Sequence, residues 1–211
     1  KAQREATPED IKLSVPIIKQ IVAAYNIPIL EVPGFEADDV IGTISKLAEQ
    51  SDFNVYMLTP DKDYAQLVSD KVFIYRPRHG GGYETLDVRG VKDKWGISSP
   101  AQVIDLLGLM GDSSDNIPGC PGVGEKTAVK LLNDFNSIDN LLNSTDSLKG
   151  ALKQKIIDNC EKIKFSKFLA TIRTDVPIEF EPEKFILASP NVVSLCEIFS
   201  ELEFKSLLKK Y

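Results

Sequence analysis

Histidine is almost missing from this sequence: there is one, His79, beside three scattered cysteines, Cys120, Cys160 and Cys196, with no Cys-x-x-Cys. Without a Cys-x-x-Cys pair, ligands so widely spaced do not read as a zinc ribbon or finger. An odd, widely spaced set of cysteines also excludes a disulfide framework and fits a reducing compartment. His79 precedes Gly80-Gly81-Gly82, a loop in which a solvated role is the default expectation. Long apolar runs are absent too. The longest uncharged stretch, Phe185 to Cys196, is well short of the roughly 18 residues that span a bilayer, and no signal-peptide pattern is present. These absences predict a soluble, cytoplasmic protein with no membrane partner. A positive net charge is absent as well. The net charge of −6 runs against the basic balance usual in nucleic-acid-binding domains.

What is there is ordinary globular material. With 211 residues, 43% of them hydrophobic, the chain suffices for one large domain or two small ones, and needs no staples to hold a core. The net charge hides an asymmetry. From Glu31 to Asp70 nine acids face two lysines, a local −7, whereas from Pro121 to Asp175 nine Lys/Arg face seven acids, a local +2. An acidic first half beside a mildly basic second half suits one part that holds cations and another that holds phosphate.

Periodicity divides the chain in the same place. A helix is expected from about Ser14 to Tyr25, with Ile17, Ile18, Ile21 and Val22 on one face. The run Ile27 to Val32 reads as a buried strand closed by Pro33-Gly34. Glu36 to Gln50 reads as a helix, its apolar residues recurring at 3–4 spacing. Phe53 to Thr59, Val72 to Arg76 and Tyr83 to Asp87 read as strands. Strands alternating with helices predict an α/β fold with a parallel, doubly covered sheet. Past Trp95-Gly96 the pattern turns helical: Pro100–Met110, Glu125–Phe135, Ile138–Leu142, Leu148–Ile163 and Phe165–Ile172, then one or two amphipathic helices over Pro190–Tyr211.

Three groups of carboxylates stand at element ends. Glu36, Asp38 and Asp39 open a helix, where acids are favoured by the helix dipole in any case. Asp61 and Asp63 follow the strand that ends at Thr59-Pro60, and open α/β sheets place ligands at the carboxyl ends of their strands. Asp112 and Asp115 sit in a glycine-flanked turn, where side-chain capping would also explain them. Each group has an ordinary structural explanation. A shared cluster of this many acids would nonetheless repel itself unless cations filled it. Oxygen ligands without His or Cys select hard ions such as Mg²⁺ or Mn²⁺. Two divalent ions about 4 Å apart are the arrangement that hydrolyses phosphodiesters.

A second pattern lies downstream. Asn116-Ile-Pro-Gly-Cys-Pro-Gly-Val-Gly124 leads into Glu125-Lys126-Thr127-Ala128. Glycines let backbone amides approach an anion, the helix start adds partial positive charge, and Lys126 adds a mobile point charge. The spacing is not that of a Walker loop. A plain glycine-rich turn between packed helices is the other reading. A clamp of this kind grips the phosphate backbone without reading bases.

These stretches in this order resemble the 5′-nuclease domain that bacterial DNA polymerases I carry, within the flap endonuclease family. The resemblance rests on Val32-Pro-Gly-Phe-Glu-Ala-Asp-Asp-Val-Ile-Gly42, Thr59-Pro-Asp-Lys-Asp-Tyr64, Gly108-Leu-Met-Gly-Asp-Ser-Ser-Asp-Asn-Ile-Pro-Gly119 and Pro121-Gly-Val-Gly-Glu-Lys-Thr-Ala128, and it extends to Leu202-Glu-Phe-Lys-Ser-Leu207. It implies a PIN-like (Rossmann-like) α/β nuclease core with a parallel sheet, then a small all-α helix–three-turn–helix (helix–hairpin–helix) domain. It implies hydrolysis of DNA phosphodiesters at 5′ ends and flaps, in replication and repair. Glu36, Asp38, Asp61, Asp63 and Asp112 fall on metal-ligand positions, and Asp39 and Asp115 on further acids acting through water. Lys1 and Arg4 fall on basic residues beside the scissile phosphate. Gly122, Val123, Gly124, Lys126 and Thr127 fall on the DNA-binding turn, where the family also binds K⁺. The implied domains are a nuclease core over 1–97, a helical DNA-binding domain over 98–185, and helices over 186–211 leading toward a polymerase region of the same chain, the whole acting as a monomer on nicked, flapped or 5′-ended duplex DNA. The family places a first strand and two more aspartates ahead of the segment matched from Lys1 onward, so this chain alone is expected to cut slowly or not at all. A module that grips branched duplex through Gly122–Lys126 without cutting is the alternative.

Overall fold

The computed structural model describes residues 6–78 and 80–211, so the expectations placed on Lys1, Arg4 and His79 lie outside the described residues. In chain order the elements are α1 (Glu9–Ala24), α2 (Ala37–Gln50), β1 (Val55–Leu58), a 3-10 turn (Asp63–Leu67), β2 (Val72–Pro77), β3 (Tyr83–Leu86), α3 (Val88–Trp95) and α4 (Gln102–Met110). There follow α5 (Glu125–Phe135), α6 (Ile138–Asn143), α7 (Gly150–Asp158), α8 (Cys160–Ala170), α9 (Val192–Glu201) and α10 (Lys205–Leu208). They gather into two compact units. One is Gly34–Ile178; the other joins the segment ending at Pro33 to Glu179–Tyr211. No helix among the described residues is long and apolar enough to cross a membrane.

In the larger unit, α2 starts where its residues dictate. Glu36 and Asp39 form a reciprocal capping box that satisfies two amides left over at the helix start. β1 and β2 pair in parallel, but β3 runs antiparallel to β2, and the Arg78 amide donates to the Gly82 carbonyl at 2.9 Å where the chain reverses. The sheet is covered on one face by Met57, Val72, Ile74 and Leu86. The other face carries the stacked pairs Tyr56–Phe73 and Tyr75–Tyr83, and Tyr56 and Leu58 are 59% and 70% exposed. The expected double cover is therefore not present among the described residues. Leu106, Leu107 and Leu109 of α4 join one core with Leu132, Ile138, Leu141, Ile156 and Ile163. Full burial of a leucine or isoleucine stabilises by about 1.5–3 kcal/mol, so α4, in contact with α5, α8 and the 3-10 turn, anchors the unit.

Two local expectations change in this unit. The helix expected over 148–163 breaks at Asn159, whose Nδ2 donates to the Lys155 carbonyl, capping α7 before α8 begins. Val88–Trp95 forms a helix the periodicity reading passed over; Asp87 caps its start by accepting from the Gly90 amide at 2.7 Å, and Gly96 ends it at φ +64°.

The smaller unit packs Ala24, Leu195 and Phe199 against Ile21, Tyr25, Ile198, Leu207 and Leu208. Here α1 begins at Glu9, ahead of the expected Ser14, because Glu9 and Asp10 suit a helix start. The helix runs on through Pro16. The Ile27–Val32 run is not a strand. No strand of the described residues pairs with it, and a backbone without a ladder partner has nothing to hold it extended. Ile27, Ile29 and Leu30 remain 45%, 41% and 39% exposed.

Candidate metal centre and phosphate turn

The acidic centre is built from two turns of the larger unit. In the first, the chain leaves β1, and Asp61 holds the turn shut by accepting from the Asp63 amide at 3.0 Å. Asp63 then starts the 3-10 turn, in which Tyr64 and Ala65 are buried. Gln66 clamps this turn to the end of α8: its Nε2 donates to the carbonyls of Asp63 (3.0 Å) and Ala170 (2.9 Å), and its Oε1 accepts from the Ile172 amide at 2.9 Å.

The second turn carries Asp112 and Asp115. Asp112 and Ile117 exchange backbone hydrogen bonds at 2.9 and 2.7 Å, closing a loop so tight that two glycines are required. A Cβ on Gly119, which has φ +60°, would lie 2.3 Å from the Gly111 nitrogen, and one on Gly111 would lie 2.7 Å from the Ile117 oxygen. The buried Ser166 Oγ accepts from the Gly119 amide at 3.0 Å and donates to the Lys162 carbonyl, tying the loop to α8. Within the loop, Asp112 Oδ1 accepts from the Ser114 amide at 2.9 Å.

The two turns bring Asp63, Asp112 and Asp115 together, with a carboxylate oxygen of each within 4.8 Å of the others. Asp63 Oδ1 and Asp112 Oδ2 are buried and carry no aligned hydrogen bond. Burial, and then the charges of Asp61, Asp112 and Asp115, push the Asp63 carboxyl up to about 7. Burial also raises Asp112, but Lys62 and the Ser114 amide outweigh it and hold this carboxyl below its ordinary range. The Lys62 ammonium stands 2.7 Å from Asp112 Oδ2 as an ion pair, and that contact raises the lysine's own proton affinity.

The remaining expected acids, Glu36, Asp38, Asp39 and Asp61, do not belong to that group of three. Asp38 Oδ1 accepts from the Tyr64 hydroxyl at 2.9 Å, and burial together with Asp38 pushes that phenol above its ordinary value. Asp39 accepts from the Arg173 amide at 2.9 Å and from the Glu36 amide at 3.4 Å. Glu36 completes the capping box. Three participants escaped the sequence reading. Lys62 had a visible signal, a lysine placed between two aspartates; Gln66 and Ser166 had none, because their partners lie 104 and 47 residues away.

Three converging carboxylates with no His or Cys among them, one of whose buried oxygens (Asp63 Oδ1) has no hydrogen bond, fit a hard divalent cation. In the second candidate region, Gly122 turns at φ +74° and the exposed Gly124 opens α5 with no side-chain cap. The Thr127 and Ala128 amides both donate to the Gly124 carbonyl, at 3.0 and 2.9 Å, and the amides ahead of them are the ones a helix start leaves without an intrahelical partner. Lys126 is exposed beside them. A Cβ on Gly122 would lie 2.7 Å from the Lys155 ammonium, so a second lysine overhangs this turn.

Residues 1–96 match the family described as 5′-3′ exonuclease, N-terminal resolvase-like domain, and residues 98–192 match 5′-3′ exonuclease, C-terminal SAM fold. The sequence is 43% identical over 212 residues to DNA polymerase I of Bacillus subtilis and 40% identical over 211 residues to the thermostable DNA polymerase I of Thermus aquaticus. Each alignment covers 100% of this chain and 24% of the relative, so the chain spans about a quarter of the length of these curated relatives. Among solved structures, the T5 D15 protein co-crystallised with metal ions superposes with a TM-score of 0.66 at 19% identity, covering 99% of this chain and 74% of that one. The catalytic core of Rad2 in complex with DNA substrate gives 0.65 at 16%, covering 97% and 71%. At these identities the likeness is one of fold.

Proposed function

The chain belongs to the 5′-3′ exonuclease family, and from that membership we propose that it is a structure-specific 5′-nuclease hydrolysing DNA phosphodiesters at 5′ ends and flaps, within a chain that also holds a DNA polymerase. The observation that carries the reading is the meeting of Asp63, Asp112 and Asp115, with Asp63 Oδ1 buried and without a hydrogen bond and Asp112 Oδ2 buried against the Lys62 ammonium. The ions proposed are two Mg²⁺ or Mn²⁺, held by Glu36, Asp38, Asp61, Asp63 and Asp112. Asp39 and Asp115 would act through water; for Asp39 this fits its two backbone amide partners. When bound, such ions supply Lewis acidity at the phosphodiester and an activated water. The protein's own part is to hold the carboxylates in register. The capping box fixes α2, Gln66 fixes the Asp61–Asp63 turn, and Ser166 fixes the Asp112 loop.

Lys1 and Arg4 would stabilise charge at the scissile phosphate. Gly122, Val123, Gly124, Lys126 and Thr127 would hold a duplex phosphate, with K⁺ at the same turn. The proposed division of labour is a nuclease core over 1–97, a DNA-gripping domain over 98–185 and a lead toward the polymerase region over 186–211, in a protein acting as a monomer. Isothermal titration with Mn²⁺ tests the centre. Replacing Asp112 with Asn should weaken binding at least about tenfold, the cost of removing one charged ligand. Unchanged affinity would sink the nuclease reading and favour a module that only grips branched duplex, which needs no divalent ion at Asp112.

A further inference from the structure

Asp112 has a side chain only 3% exposed, yet its Oδ2 accepts no aligned hydrogen bond. Among the described residues, the formal positive charge at that oxygen is the Lys62 ammonium, 2.7 Å away. Asp63 and Asp115 stand around the same space, and Asp61 and Asp63 flank Lys62 in the chain. A buried carboxylate cannot remain charged beside two others without a cation. In the structure that cation is a side chain. Lys62 is itself 41% exposed, on a flexible four-carbon stem whose ammonium hydrates readily, so it can leave for water at little cost.

We propose that Lys62 is the resident counter-cation of the acidic centre, occupying Asp112 until a divalent ion displaces its ammonium into solvent. The proposal rests on the reading of this centre as a divalent-cation site. Two features separate Lys62 from an ordinary surface ion pair. Its partner is almost wholly buried, and that partner is one of three carboxylates that meet at a single point. An ion on that oxygen would bring a second positive charge into contact range of the ammonium, so both cannot keep their places. Lys62 would thus set the affinity of the centre and keep three carboxylates together in its absence. The same residue would be a positioning group, since it acts on Asp112 and not on substrate.

The test uses the whole chain. Mn²⁺ affinity is read from the free-ion signal in electron paramagnetic resonance for wild type, Lys62→Met, Lys62→Arg and Lys46→Met. Lys46, whose ammonium reaches Thr174, controls for loss of a charge outside the centre. Removing the competitor in Lys62→Met should tighten binding about five- to tenfold, between the worth of an exposed and a buried pair. Lys46→Met should change it less than about twofold, as a screened charge does, and Lys62→Arg should stay near wild type. Independently of any variant, the Lys62 ammonium resonance in ¹⁵N NMR of the wild-type chain should move to the position of a solvent-exposed lysine when Mg²⁺ is added. Equal or weaker binding by Lys62→Met overturns the proposal, and so does an ammonium resonance that Mg²⁺ leaves in place. A wild-type chain that binds no Mn²⁺ overturns the cation-site reading itself, a result distinct from both.

Discussion

Replacing Asp63 with Asn should stabilise the metal-free protein above neutral pH and abolish part of its pH dependence. Asp63 is 9% exposed and meets the charges of Asp61, Asp112 and Asp115, which with burial raise its carboxyl from 3.8 to about 7. The folded state therefore holds the proton more tightly than the unfolded chain does. The stability this contributes is fully present below about pH 4 and is lost as the pH rises through about 7. A shift of about three units at 1.36 kcal/mol each corresponds to about 4 kcal/mol; partial access of solvent lowers the expected swing to about 2–4 kcal/mol. Asparagine keeps the shape, carries no charge and offers its amide protons to the neighbouring carboxylates. Urea unfolding of both proteins in chelator, from pH 4 to 8, isolates the effect as the difference between the two curves. That difference should be near zero at pH 4 and grow to favour Asn by pH 8. A difference that stays flat across the interval would refute the account of a crowded, protonated Asp63. The same proton must leave when a divalent ion enters, so wild-type Mn²⁺ affinity should climb by up to about tenfold per pH unit below 7 and then level off.

Ser166→Ala would strand the Gly119 amide in the interior and should cost about 1–3 kcal/mol in chemical denaturation, with weaker Mn²⁺ binding because the Asp112 loop loses its tie to α8; unchanged stability would contradict the role given to that bond. Lys126→Ala should weaken binding to unrelated duplex sequences alike and make the salt dependence shallower by about one unit. A loss confined to one sequence, measured by fluorescence anisotropy, would indicate base reading.

Much of the architecture was legible because its cues are local. The capping pair Glu36 and Asp39 lies within four residues and marks α2; Gly124 before Glu125 marks α5; the punctuated apolar runs mark β1, β2 and β3. α3 was legible too, from Asp87 at its start and Gly96 at its end, and was passed over because its eight residues are few for a periodicity count. The Ile27–Val32 run misled for the opposite reason. Its composition suits a strand, yet strand formation depends on a neighbouring ladder that local sequence cannot supply.

The sequence by itself determined which residue types are available and where they stand in each element: carboxylates at element ends, one histidine, a glycine turn before a lysine-bearing helix. Residue chemistry and near-neighbour backbone preference are properties of a few consecutive positions, and they suffice to choose hard-cation and phosphate chemistry. Only the tertiary structure decided which carboxylates meet. Asp63 and Asp112 are 49 positions apart, and their approach depends on Gln66 and Ser166 reaching α8 and on the close contact of Gly111 with Gly119. It also decided the charge on the centre. Burial and crowding, which no stretch of sequence encodes, press Asp63 toward its neutral form and draw Lys62 onto Asp112.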